Sequence, residues 1–253
     1  MKRIIFIITI ILGFQIIVSA QTDITPYLDS ARTAYGENDF ESSVRLYLRV
    51  LDHGYESPQL YYNIGNGYYK QMKIAPAILW YQRAIKLDPT YEDAKFNLQL
   101  AQELIVDKID PITPPFYKRW LKSVVLWLTP NGWAIISVVV FFILAGGLIL
   151  LFSPAGDTWK RLAVPIVIIS LILSFILMFI SKKSYDNAVD TTTAVVMSPS
   201  VTVRSTPHSE GTKLFTIHEG LTVTVNSSVE GWCEIRLDDG RVGWLVESDI
   251  EPI

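Results

Sequence analysis

Cysteine and histidine are the scarcest chemistry in this chain. One cysteine among 253 residues excludes an internal disulfide framework and a cysteine-rich zinc site. Three histidines, far apart in sequence, leave little material for a histidine-based metal or acid–base centre. There is no basic excess either. Lys and Arg number 22 against 25 Asp and Glu, a net charge of −3, so the electrostatic footprint of a nucleic-acid binder is missing. No Gly-rich phosphate loop and no pair of acids in a pocket-like context is visible. An enzyme is therefore not expected, and no catalytic, cofactor-binding or metal-binding residue is assigned. What the chain has in excess is apolarity. Half of its residues are hydrophobic, too many for a soluble domain of ordinary composition.

That apolarity sits in three places. Residues 1–20 begin with Lys2 and Arg3, continue as an apolar run from Ile4 to Val18, and end in the small-residue pattern Val18-Ser19-Ala20. They read as a secretory signal peptide, or alternatively as an uncleaved signal anchor. Either reading sends the rest of the N-terminal half out of the cytoplasm. Residues 132–152 and 162–180 are uncharged runs of about 20 residues, long enough as helices to cross ~30 Å of hydrocarbon. Pro165 is placed in the first turn of the second span, where its missing N–H costs nothing. Gly146, Gly147, Ser170 and Ser174 allow the spans to pack closely. The link between them, 153–161, is only long enough for a tight turn. The spans therefore form an antiparallel hairpin, with the N-terminal and C-terminal soluble segments on the same side. The basic flanks Lys118, Arg119, Lys122, Lys182 and Lys183 outnumber Lys160 and Arg161 in the turn, which taken alone inverts the hairpin. The exported first segment is given precedence, which places residues 21–131 and 181–253 in the periplasm. Net charge runs −3 over 21–105, +3 over 106–193 and −5 over 194–253, so basic charge flanks the membrane and the soluble parts are acidic.

Residues 58–91 carry two helical patterns with a break at Met72-Lys73. Gly65, Ala77 and Ala84 are small where two helices must approach, and Tyr61, Ile64, Tyr68, Ile78, Tyr81 and Leu87 recur at helical spacing. Pro89 ends the second helix. Together these residues resemble the tetratricopeptide repeat. One period earlier, Tyr27, Ala31, Phe40, Ser43, Tyr47 and Val50 hold the corresponding positions, and residues 94–104 look like a further first helix that doubles as a cap. The resemblance implies an α-helical tetratricopeptide (TPR) solenoid of about two and a half repeats over 22–105, with a concave groove for peptides or partner helices. The family's carboxylate clamp carries over only at Asn63; Leu28 and Asp93 stand where lysines would. The groove candidates are Arg32, Tyr62, Asn63, Asn66, Tyr69 and Asn97. The alternative for Asn63 is a bond to a neighbouring helix.

Residues 106–131 hold a stiff, proline-rich linker and then an amphipathic stretch. Phe116, Trp120, Leu121, Val124, Trp127 and Leu128 fall on one helical face, opposite Lys118, Arg119 and Lys122. This predicts an interfacial helix, or alternatively packing against the hairpin. From residue 194 the pattern changes to five short alternating runs separated by Gly, Asp and Pro. Val203-Arg204-Ser205, Pro207, Glu219-Gly220, Gly231-Trp232, Asp239-Gly240 and Gly243-Trp244-Leu245 make residues 194–253 resemble a bacterial SH3 domain, a small all-β SH3-like barrel. In that family the domain binds peptides or cell-wall peptide stems, or spaces other modules. Trp244 is assigned to the core, Trp232 is the surface candidate, and Cys233 reads as a packed thiol.

The whole order, including Leu128-Thr129-Pro130-Asn131-Gly132-Trp133 ahead of the first span, resembles the BatE-type proteins of the Bacteroidetes aerotolerance operon. The fold class is thus a multidomain membrane protein. The resemblance implies a non-enzymatic inner-membrane scaffold with both soluble parts in the periplasm, concerned with oxidative or envelope stress. Its partners would be the operon's von Willebrand factor A-domain membrane proteins and a MoxR-type ATPase. The other open reading is an envelope anchor whose SH3 domain binds peptidoglycan.

Overall fold

The computed structural model describes residues 23–153 and 156–253. The predicted signal peptide lies outside them. The described chain runs through a helical repeat region, two long apolar helices and a strand-rich C-terminal region.

The repeat region is five helices: α1 (Thr25–Gly36), α2 (Phe40–Asp52), α3 (Pro58–Lys70), α4 (Ile74–Leu87) and α5 (Glu92–Gln102). Local chemistry sets their ends. Asp39 accepts from Ser42 N at 3.0 Å to cap α2, Ser57 accepts from Leu60 N at 3.1 Å to cap α3, and Pro58 opens α3 where its missing N–H is harmless. The turns within the two helix pairs use left-handed residues at Asn38 (φ 63°) and Met72 (φ 60°), one repeat apart. Each pair closes on small residues. A Cβ on Gly65 would stand 2.7 Å from the Tyr81 ring, so only glycine lets the ring lie on the α3 backbone. One repeat earlier, Ser43 is buried and donates to Ala31 O at 2.9 Å. Gly67 joins the pairs: a Cβ there would collide with Val44 Cγ2.

After α5 the chain forms no regular element until α6 (Phe116–Val125). This linker is laid across the C-terminal sheet as a strap. Asp107 accepts from His218 N at 2.5 Å and faces His218 Nδ1 at 3.0 Å. Ile109 packs on the sheet core, and Ile112 N donates to Asp238 O at 3.0 Å.

The apolar helices are α7 (Pro130–Phe152) and α8 (Asp157–Val189), both long and apolar enough to cross a membrane. Their most apolar stretches are only 11% and 17% buried, whereas a core helix of a soluble domain would be mostly covered. Thr129 caps α7 through Gly132 N at 3.2 Å. The helices pack against each other, with Gly147 closest to Val167, where a Cβ would stand 2.8 Å from its Cγ2. Ser170 and Ser174 return their hydroxyls to Ile166 O and Ser170 O at 2.7 Å, so neither leaves an unpaired polar atom. The placement of Pro165 is corrected: α8 begins at Asp157, so Pro165 lies inside the helix and the Arg161 carbonyl loses its helical partner. The amphipathic helix is shorter than expected. It ends at Val125, and Trp127 and Leu128 fall in the turn beyond it. Part of the expected apolar face, Val124 and Leu128, packs on the hairpin beside Trp133. Phe116, Trp120 and Trp127 are exposed, while Val125 is buried and its carbonyl accepts from Trp133 Nε1 at 3.0 Å.

The C-terminal part has seven strands rather than five: β1 (Thr193–Val196), β2 (Ser200–Arg204), β3 (Lys213–His218), β4 (Thr222–Val229), β5 (Trp232–Arg236), β6 (Val242–Val246) and β7 (Ile250–Pro252). The turn at 197–199 splits the first run, and a short 3-10 turn at Glu247–Asp249 splits the last. The expected closed barrel is also corrected. The strands form one open antiparallel sheet in the order β3-β2-β6-β5-β4-β1-β7, and the edge strands β3 and β7 do not pair. Helix α4 covers the β7 edge instead. Arg83 donates to Glu251 Oε1 at 2.9 Å and to Pro252 O at 2.7 Å, and Lys86 donates to Ile253 O at 2.5 Å. Covering an edge with a helix satisfies backbone carbonyls that would otherwise template another strand. Val195 and Ile253 join Ile78, Ala101 and Ile105 in one apolar cluster, so repeats and sheet share a core.

Candidate functional site

The first helices of the repeats, α1, α3 and α5, carry the polar side chains, and α3 supplies most of them. Gln59, Asn63 and Asn66 are spaced three and four residues apart, so they share a face. With Arg32, Tyr35 and Tyr47 they line an open cavity of about 380 Å³. A hydrogen-bond chain organises its rim. Tyr91 Oη donates to Gln59 Oε1 at 2.6 Å, and Gln59 Nε2 donates to Asn63 Oδ1 at 3.1 Å. Asn66 Oδ1 accepts from Tyr81 Oη and from Asn97 Nδ2, both at 2.8 Å, and Asn97 also donates to Tyr62 Oη at 3.2 Å.

The electrostatics are those of a neutral donor–acceptor surface with one exposed cation, Arg32. Burial pushes the Tyr47 and Tyr81 hydroxyls above their ordinary range, so both stay protonated and able to donate near neutral pH. Arg32 pairs with Asp29 at 3.3 Å, but both side chains are about two-thirds exposed. Such a pair is weak and lets the guanidinium turn to a ligand. Among the described residues no group of three His, Cys, Asp or Glu side chains is positioned to hold a metal ion.

Of the residues predicted from sequence, Arg32, Asn63 and Asn66 line the cavity, and Tyr62 and Asn97 join it through Asn66. Asn63 bonds Gln59 on its own helix. Tyr69 stands apart, packed into the apolar cluster shared with the sheet. Tyr35, Tyr47 and Gln59 also line the cavity and are not among the residues expected from the sequence. Gln59 lies one turn before Asn63 and was findable by spacing. Tyr47 was assigned to the helix seam as the counterpart of Tyr81, but its ring fills the seam while its edge borders the cavity.

On the sheet, strand alternation decides which side chains face out. Trp232, Glu234 and Arg236 of β5 lie beside Val246, Trp244 and Val242 of β6. The assignment of Trp244 to the core is corrected: Gly243 and Leu245 point inward, and Trp244 is half-buried on the outer face, diagonal to the half-buried Trp232. Cys233 is buried with its Sγ 3.2 Å from Ser228 Oγ, and His218 is held on Asp107.

Comparison with known families agrees with both parts. Residues 58–91 match the tetratricopeptide repeat family. Residues 199–251 match the bacterial SH3 domain family. Among curated proteins, none matches the chain. The chain thus carries two recognisable modules, a tetratricopeptide repeat and a bacterial SH3 domain, joined through two helices long and apolar enough to span a bilayer.

Proposed function

We propose that this protein is a non-enzymatic adaptor of the inner membrane, which holds an extended segment of a partner protein in the repeat groove. The observation that carries the reading is the cavity between α1, α2 and α3. It offers amides, phenols and one loosely paired guanidinium, a set suited to backbone amides, backbone carbonyls and an acidic side chain. The two apolar helices supply the membrane anchor. The signal-like N-terminus supports a periplasmic site for both soluble parts. The domain order supports a place in a Bat-type aerotolerance complex, with von Willebrand factor A-domain membrane proteins as partners and a MoxR-type ATPase in the same assembly.

Co-purification from native membranes tests this. Arg32→Ala with Asn63→Ala leaves the seam residues untouched and is expected to release the partner. Truncation of two hot-spot side chains at ~2 kcal/mol each weakens binding roughly thirtyfold per site. Retention of the partner by this double variant would reject the groove.

A second reading has its own observation. Trp232 and Trp244 form a half-exposed diagonal pair on the sheet, flanked by Glu234 and Arg236. Aromatic faces with mixed charge suit peptide stems or sugars of peptidoglycan. Sedimentation with purified cell wall, lost in Trp232→Ala, would favour an envelope anchor. No sedimentation would remove that reading.

A further inference from the structure

A second cavity, of about 620 Å³, lies where all parts of the molecule meet. Its walls are α4 and α5 of the repeats, the end of α6 at Lys122 and Ser123, the start of α7, the end of α8 and the sheet at Thr193 and Thr222. Its size is that of a small-molecule site. We infer that this cavity seats the headgroup of an anionic glycerophospholipid drawn from the adjoining leaflet.

Position is the first argument, and it rests on the reading of α7 and α8 as membrane spans. Pro130, the first residue of α7, and Ser184, just past the end of the apolar run of α8, both line the cavity. It therefore opens at the level where hydrocarbon gives way to headgroups. The helix α6 that walls it carries exposed Phe116 and Trp120, the residues that favour that depth.

Charge is the second argument. Lys86, Lys95 and Lys122 line the cavity with one acidic side chain, Asp190, and Lys86 already donates one bond to Ile253 O, leaving its other N–H groups for a ligand. Lys122 has no ion-pair partner among the described residues, and Lys95 is paired at 2.7 Å only with Glu92, whose side chain is largely exposed. Burial pushes the Lys86 ammonium down from its ordinary pKa, a cost that a bound phosphate offsets. Gln82 adds an acceptor. Its Nε2 donates to Thr222 Oγ1 at 2.8 Å, while its Oε1 is buried without a partner. A headgroup that carries hydroxyls beside its phosphate meets both needs, the lysines taking the phosphate oxygens and Gln82 with Asp190 taking the hydroxyls. The apolar wall of Ile85, Leu98 and Leu126 suits the glycerol and first methylenes.

The test uses the full chain in nanodiscs of phosphatidylcholine with or without phosphatidylglycerol, with retained lipid counted by native mass spectrometry. The expected result is selective retention of phosphatidylglycerol, weakened about a hundredfold in Lys95→Gln with Lys122→Gln, since each charge-assisted hydrogen bond to a phosphate oxygen contributes roughly tenfold. Lys118→Gln with Arg119→Gln removes two charges of the same helix that do not line the cavity, and should leave selectivity in place. Equal loss in both double variants would mean diffuse surface attraction and overturn the site. Equal occupancy by soluble glycerol 3-phosphate would overturn the lipid source. No selectivity in properly inserted protein would overturn the inference alone, whereas a chain that stays soluble without detergent would overturn the spanning reading first.

Discussion

The two soluble parts solve the problem of a small core with different residues. Ten of the 12 tyrosines lie in the repeats and none in the sheet. The repeat seam packs Tyr47 and Tyr81 against Ala31 and Gly65, while the sheet core is built from Val, Ile and Leu such as Val203, Ile217, Ile235 and Leu245. The difference has a functional consequence. A tyrosine that fills a seam with its ring still delivers a hydroxyl at the rim, and Tyr81 Oη ends on Asn66 in the groove network. An aliphatic core delivers nothing to its surface. In the repeats, core and groove are therefore one construction. In the sheet, they are separate, and only outward-facing side chains such as Trp232 and Trp244 are free for a ligand.

Overpacking should separate the two parts most strongly. Gly65→Leu drives a side chain into the Tyr81 ring, and Gly243→Leu drives one into Val203 Cγ1, 2.5 Å from where a Cβ would stand. Each should cost roughly 1–3 kcal/mol or more. Only Gly65→Leu is expected to abolish partner capture. The buried thiol of Cys233, the chain's single cysteine, reports opening of the sheet. Gly243→Leu should therefore speed its labelling, and Gly65→Leu should do so far less. Similar labelling in the two variants would mean that the parts do not open separately.

Alkali should separate the parts next. Burial pushes the Tyr61 hydroxyl up to about 12 and raises those of Tyr47, Tyr68 and Tyr81 as well. A group whose folded pKa is raised stabilises fully below its unfolded value near 10, and that stability is lost as pH climbs through the folded value. The repeats should thus weaken between about pH 10 and 12. Tyrosinate absorbance should rise in that window together with loss of helix signal, while Cys233 stays protected. Exposure of Cys233 before tyrosine ionisation would contradict this.

Smaller effects probe the joint and the caps. Arg83→Ala removes the bonds to Glu251 and Pro252 and the stacking on Trp80 at 4.7 Å. It should cost about 1 kcal/mol, read as lower cooperativity between the two parts. Hydrogen bonds from the Ser42 side chain and then its backbone N–H hold the Asp39 carboxyl below its ordinary range, so this cap stabilises above that range and fades as pH falls below it. Asp39→Asn should flatten the acid limb of the melting curve slightly, and an unchanged limb would remove the cap from the account.

The repeats were legible because their pattern is local: Gly65, Ala77, Tyr81 and Pro89 fall within one period, and their earlier counterparts stand at the same spacing. The two apolar helices were legible by length and composition. The joint was not. Nothing in the run 106–115 announces that Asp107 will hold His218, 111 residues away, because a single acid carries no periodicity. The open sheet was missed for a related reason. Alternation marks strands, but whether edges meet depends on what covers them, and here Arg83 and Lys86 of α4 do. Trp244 lies on the outer face because it alternates with the buried Leu245, and which of the two neighbours turns inward is set by the sheet.

The claim that the groove captures a partner is tested most directly by photocrosslinking in intact cells. A photoreactive residue is placed in turn at Tyr35, which lines the groove, and at Trp232 of the full chain. Crosslinks are expected from Tyr35 to one or a few envelope proteins, lost when Arg32 and Asn63 are also changed to Ala. Crosslinks from Trp232 alone, or none from Tyr35 while the complex still purifies, would contradict the groove reading.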